Sequence, residues 1–189
     1  MNRKNSTIPN LVFSTLASVA PDRIFVYAAV PVSSGLRLWQ LAKRLGLHKP
    51  EEAISKRPSV YRRKVLSPNI AAANRFVKSL RARYSYVINP AQLDVPGWQQ
   101  SDYDDLWRRV IGEKVRLLVL SRNWAYSRGC VSELLFALEA GLEIREHNGS
   151  RLKIDDAAAQ LQQALRQSIE YNLDVPFLHS AYHAASRWR

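Results

Sequence analysis

Glu133 is the side chain whose sequence surroundings best suit it to chemistry. It lies in Arg116 to Gly141, RLLVLSRNWAYSRGCVSELLFALEAG, where an apolar run gives way to a polar turn and then to a helix with Glu133 one turn in. In an open α/β sheet, ligands bind beyond the carboxyl ends of the strands, where loops and helix N-termini present unpaired N–H groups. A carboxylate at this place is expected to face that crevice, with Asn123, Ser127, Arg128 and Gly129 of the turn around it. Glu133 also reads as an acid of the first helical turn that complements the helix dipole, a common surface role. Spacing alone does not separate the two.

The elements that must hold these residues follow from periodicity. Val115, Leu117, Leu118, Val119 and Leu120 form a run too apolar and too short for anything but a strand buried on both faces, which implies a parallel sheet flanked by helices. Leu134, Leu135, Ala137, Leu138 and Gly141 give the next helix its packed side. Earlier, Ile24 to Ala29 reads as a first strand, ended by Pro31 and the turn residues Ser33, Ser34 and Gly35. A helix over residues 36–47 has Leu36, Leu38, Trp39, Leu41, Ala42 and Leu45 on one side. A basic connection containing Pro50, Pro58 and Pro68 follows, with a short helix starting near Glu51.

Ile70, Ala73, Phe76, Val77 and Leu80 predict a helix over residues 70–83, and Tyr86 to Ile88 a second strand stopped by Asn89-Pro90. A loop rich in turn formers leads to a helix from about Tyr103 to Ile111. Glu143 to Arg145 reads as a short fourth strand, closed by the turn His147 to Ser150. Asp155 or Asp156 caps a final helix to about Asn172, with Leu161, Leu165 and Ile169 inward. The resulting plan is an arm over residues 1–22, a domain over 23–172 with a basic insertion at about 36–68, and a tail over 173–189 rich in aromatic and histidine side chains, including Trp188.

At 189 residues the chain fits one domain with appended segments. Its 47% hydrophobic and 23% charged content is that of a soluble globular protein, with no apolar run long enough to cross a bilayer. The start, MNRKNSTIPNLVFSTLASVAPDR, loosely imitates a secretory signal, but Ser14, Thr15 and Ser18 interrupt it, and an arm or short helix laid on the domain is the expectation. One cysteine, Cys130, excludes an internal disulfide and suits a reducing cytoplasm; without a histidine nearby in sequence it reads as a buried structural thiol. The four histidines lack metal-ligand spacing, so neither a metal nor a cofactor is expected.

A formal charge of +12 favours phosphate-rich partners. Lys43, Arg44, Lys49, Lys56, Arg57, Arg62, Arg63 and Lys64 cluster, with Arg75, Lys78, Arg81 and Arg83 beyond, so segment 43–83 is a candidate nucleic-acid surface on which Tyr61 could stack a base. The plainer alternative is a solvated helical face.

The order of these motifs resembles the nucleoside 2-deoxyribosyltransferase superfamily, including its nucleotide N-glycosidase relatives, over roughly residues 23–145. Val26-Tyr27-Ala28-Ala29-Val30-Pro31 is similar to the family's first strand and loop, Asn74 and Phe76 to its helix, and Asn89-Pro90-Ala91 to a strand end. Tyr103 matches a loop tyrosine, and Trp124, Ser127, Gly129 and Glu133 match its Trp-x-x-Ser-x-Gly followed by an acid. The resemblance implies a doubly wound, mostly parallel Rossmann/flavodoxin-like sheet, here with a basic helical insertion and a C-terminal helix.

It also implies cleavage or exchange of the bond between C1′ of a sugar and a base nitrogen. Glu133 would be the catalytic carboxylate, attacking C1′ or stabilising its developing positive charge, and glycosidic cleavage does pass through an oxocarbenium-like state that a close carboxylate lowers in energy. Ser127 and Arg128 would hold a 5′-phosphate, Gly129 would let the substrate approach backbone amides, and Asn89 and Tyr103 would orient sugar or base. Tyr27 would lie opposite Glu133, Trp124 would offer a stacking face, and a neighbouring subunit often completes the pocket in relatives, which implies a homo-oligomer. This chain departs from the pattern at Val30, where the family usually has glycine, and at Trp107 and Arg116, where relatives often carry carboxylates; Asp102, Asp104 and Asp105 lie close by.

Ser127 to Leu134 is also similar to the Ser-x-Trp-Cys-x-x-Glu-Leu segment of TIR domains, some of which hydrolyse NAD with that Glu. Gly129 replaces the usual Trp, and Asn89-Pro90-Ala91 fits the transferase pattern better. A third expectation is a module that binds nucleic acid or a protein partner without catalysis.

Overall fold

The computed structural model describes residues 7–20, 22 and 24–186. Its centre is a sheet of four parallel strands, β1 (Phe25–Ala29), β2 (Val87–Ile88), β3 (Val115–Leu120) and β4 (Glu143–Glu146), in the order β2-β1-β3-β4. The chain moves outward from β1 to β2, returns past β1 to β3, and continues to β4. The direction of winding therefore reverses between β1 and β3, the switch point at which open α/β sheets form a crevice.

Strand alternation decides what each face meets. Val26, Ala28, Val30, Leu117 and Val119 pack with Val87 against Ala73, Val77 and Leu80 of α5 (Ser67–Arg81). Tyr27, Ala29, Leu118 and Leu120 face the other way, into a core with Leu106, Val110 and Ile111 of α6 (Gln100–Lys114) and Val131, Leu134 and Ala137 of α7 (Arg128–Glu139). Covered on both sides, the sheet is the expected doubly wound α/β architecture. No helix among the described residues is long and apolar enough to cross a membrane.

The ends of the chain also pack. Helix α1 (Thr7–Val19) lies on α6 and buries Phe13 beneath the Arg109 guanidinium, 3.9 Å from the ring centroid. Helix α9 (Pro176–Ser186) docks on α7 and α8 (Ile154–Glu170) through Leu178, Ala181 and Ala185. The tail thus completes the core as far as residue 186, whereas Trp188 lies outside the described residues.

The basic insertion is more helical than its prolines suggest. Helix α2 (Leu36–Arg44) is followed by two short helices, α3 (Glu52–Lys56) and α4 (Pro58–Tyr61), by a π-helical segment Arg62–Leu66, and by α5. Pro58 opens α4 and Pro68 is the second residue of α5, places where a missing N–H is tolerated. The wider π turn just upstream also relieves the clash that a proline ring makes with the carbonyl four residues back.

Tyr61 does not stand free among the cations. It is buried, and its hydroxyl donates to the Ser33 carbonyl at 2.9 Å, anchoring the loop after β1, so it offers no face to a base. Ile169 is likewise not inward but 76% exposed. The buried stripe of α8 runs through Ala157, Leu161, Ala164 and Ser168, and the next residue is turned about 100° away.

Candidate functional site

Glu133 is enclosed rather than open to the crevice. The second turn of α7 aims it at β1, where the Tyr27 hydroxyl donates to its Oε1 at 2.6 Å. The residue is 6% exposed, and Oε2 is buried without a hydrogen-bond partner among the described residues. Burial pushes its pKa up to about 8; the Tyr27 hydrogen bond opposes that shift and the nearby Asp104 charge adds to it. At neutral pH the group is therefore mostly the neutral acid. Tyr27 is itself held well above its usual pKa, by burial first and by Glu133 second, and remains a donor.

The wall beside this pair is aromatic. Trp107 meets the Tyr27 ring edge-on at 5.5 Å between centroids. One turn away on α6, Tyr103 accepts the Val95 N–H at 3.1 Å and packs edge-on against Trp98 at 4.8 Å. Tyr103 thereby pins the loop before α6, and Asp102 closes that loop by accepting the Gln99 N–H at 2.7 Å.

The remaining predicted residues scatter. Trp124 is buried and its indole N–H donates to Gln160 Oε1 at 2.8 Å, so its ring is part of the core. Ser127 is buried and caps α7, its hydroxyl accepting the Cys130 N–H at 3.4 Å and lying 3.0 Å from the Ser34 hydroxyl. Arg128 is exposed at the start of α7. Gly129 follows it, and a Cβ added there would meet only Ser127 Oγ at 4.0 Å, so its lack of a side chain is not required by the protein's own packing. Asn89 caps the turn after β2 and donates to Asn74 Oδ1 at 2.9 Å, so these two residues at least meet. Cys130 is buried, with its thiol pKa pushed well up by burial and then by Glu133, which suits an inert structural thiol.

An opening lies at the switch point, and Glu133 is not among the residues that line it. A cavity of about 480 Å³ is bordered by Val30 and Pro31 after β1, by the first turn of α2, by α5, and by Ser121, Arg122 and Asn123 after β3. Asn69 is its structural hub. Buried on α5, it accepts Arg37 Nη1–H at 2.9 Å, while its amide N–H groups donate to the Val32 and Ser34 carbonyls, each at 2.9 Å. A second cavity of about 230 Å³ adjoins the first, shares Ser121, Arg122, Asn123 and His147 with it, and adds Glu146 and Gln160.

Sequence reasoning passes over Arg37, Asn69, Ser121, Arg122 and His147. Arg122 has a signal, as the cation at the exit of the most apolar strand. Arg37 and Asn69 are 32 residues apart and give none.

The turn that places α2 beside the cavity depends on Gly35. Its φ of 94° is a conformation that L side chains rarely adopt, and an added Cβ would sit 2.9 Å from Pro31 Cβ. Gly35→Ala is expected to lower stability by about 1–3 kcal/mol in denaturant titration, from backbone strain together with the clash. An unchanged midpoint would mean that the turn readily rearranges. Comparison of the chain with protein-family models, with curated proteins and with solved structures finds no match, so the chemistry rests on these residues alone.

Proposed function

We propose that the chain cleaves or exchanges the C1′–N bond of a nucleotide, with Glu133 as the acting carboxyl and Tyr27 as its positioning partner. One observation carries the reading. A carboxyl is kept in the core with one oxygen held at 2.6 Å by a buried tyrosine and the other left without a partner among the described residues. Such a group costs stability, and an apolar side chain of similar size would fill the space without that cost. Strongly shifted buried acids are characteristic of functional sites, where they serve as proton donors at neutral pH.

The chemistry balances. As the C1′–N bond breaks, the base leaves with the bonding electrons and takes the Glu133 proton. The resulting carboxylate then stabilises the cationic sugar. Water adds at C1′ and returns a proton to Glu133, or a second base adds in its place. Because Oε2 has no exposed surface, substrate binding must part the side chains over it. A phosphate-bearing substrate is preferred on account of the net charge of +12.

A second reading, a binding module without catalysis, is favoured by the enclosure of Glu133 and by the exposed cations Arg57, Arg62, Arg63 and Lys64, which suit a nucleic-acid backbone. The two readings, together with NAD hydrolysis, separate in one assay. Nucleoside monophosphates and NAD are incubated with the protein and free base is quantified by chromatography. Release from a monophosphate that falls roughly 10²–10⁴-fold in Glu133→Gln is the expected result. Nicotinamide as the only product would favour NAD hydrolysis, and the absence of base from every substrate would favour the binding module.

A further inference from the structure

The cavity at the switch point has a chemistry separate from that of Glu133, which does not border it. Among the described residues lining the larger cavity there is no aspartate or glutamate, whereas Arg37, Arg122 and His147 all reach it. Its floor is apolar, with Pro31, Ala73 and the half-buried ring of Phe76. Ser121 borders both cavities, and its hydroxyl is buried without a partner among the described residues. We propose that this cleft is a binding site for a nucleoside monophosphate, its phosphate held by Arg37, Arg122 and His147 and its ring lying against Phe76.

The geometry prepares the cationic end for an anion. Both amide N–H groups of Asn69 donate to backbone carbonyls, which orients its Oδ1 toward Arg37; the guanidinium is tethered at one nitrogen while its other donors have no partner among the described residues. A donor fixed in advance loses little freedom on binding and presents the fork that suits phosphate oxygens. The first turn of α2 starts at Gly35, which has no side chain to cap it, and Leu36 of that turn borders the cleft. Its free N–H groups add to the positive field there. Arg122 and His147 approach from the ends of β3 and β4, so nitrogen donors reach the cleft from three separate segments. At about 480 Å³ the space falls within the range of small-ligand pockets, roughly 300–1,000 Å³.

Isothermal titration calorimetry of the full chain tests this without any turnover, using AMP, adenosine and inorganic phosphate as probes. AMP should bind saturably and be displaced by phosphate, and adenosine should bind more weakly. Arg122→Ala and His147→Ala change exposed side chains and should each weaken AMP binding, Arg122→Ala by about 10–100-fold. Arg166→Ala removes an exposed cation on α8 and should leave binding unchanged. Absence of saturable AMP binding, equal affinity for adenosine and AMP, or undiminished binding by Arg122→Ala would each overturn the proposal, as would binding to polynucleotide alone. A protein that binds AMP in this way but releases no base keeps this site and loses the glycosidic reading; release of base with Arg122→Ala binding unchanged does the reverse.

Discussion

Glu133→Gln is expected to make the protein more heat-stable above pH 8 and to leave it nearly unchanged near pH 5. In the folded chain the carboxyl is protonated up to about pH 8, whereas an unfolded glutamate loses its proton near its ordinary pKa of 4.5. The folded state therefore holds the proton more tightly. Its contribution to stability is fully present below about pH 4.5 and is lost progressively as pH rises to about 8. At roughly 1.4 kcal/mol for each tenfold difference in proton affinity, the loss is on the order of 4 kcal/mol. Glutamine mimics the neutral acid, since its carbonyl can accept the Tyr27 hydroxyl and it has nothing to ionise. For a chain of this length about 2–4 °C accompanies each kcal/mol, so Tm at pH 8 should rise by roughly 10 °C. Tm measured from pH 4.5 to 8.5 should fall in the wild type and stay flatter in the variant. Parallel curves would mean that water reaches the carboxyl in solution and that the side chains around it do not seal it.

The second large effect is expected at Trp39. Only 2% exposed, it joins α2 to the core and meets the Tyr126 ring edge-on at 5.1 Å, beside the turn that leads into α7. Trp39→Ala removes a large buried ring and leaves a cavity that the sheet below cannot fill, at a cost of about 3–5 kcal/mol. Because α2 carries Arg37 and follows Gly35, the loss should extend to the switch-point cleft, weakening AMP binding even where the variant remains folded. Denaturant titration and calorimetry on the same preparation read both. A loss under about 1 kcal/mol, well below the usual cost of truncating a buried ring, would show that α2 is held instead by the insertion, through Leu38 and Leu41 against Tyr61 and Val65.

What can be read from the sequence divides along a physical line. β3 and α7 are legible because their burial is written locally, in five apolar residues of a six-residue strand and in a helical stripe. β2, with two residues, and the π segment before Pro68 leave almost no local pattern, so the helical run from Pro58 to Arg81 reads in part as a proline-rich connection. The pairing of Tyr27 with Glu133 can be anticipated from strand and helix positions, but the depth of the carboxyl cannot. That depth arises from tertiary packing around the pair, such as Trp107 against the Tyr27 ring, which no spacing rule describes. Trp124 and Tyr61 look like stacking faces because the sequence shows a ring and not the partner of its polar atom, Gln160 in one case and the Ser33 carbonyl in the other. Arg37, Asn69, Arg122 and His147 become neighbours only when four distant segments meet beyond the carboxyl ends of the strands.

The strand order also governs how the chain is made. β1 is translated before both of its neighbours, β2 and β3, which lie some 60 and 90 residues downstream. Until Leu120 has left the ribosome, the segment Phe25–Ala29 lacks a complete pair of neighbours, an interval of several seconds at usual elongation rates. Unpaired strand edges in incompletely folded chains are prone to aggregation, and the interval before β3 emerges is when β1 is exposed to that hazard. Sheet closure, which must await those distant partners, sets the pace of maturation.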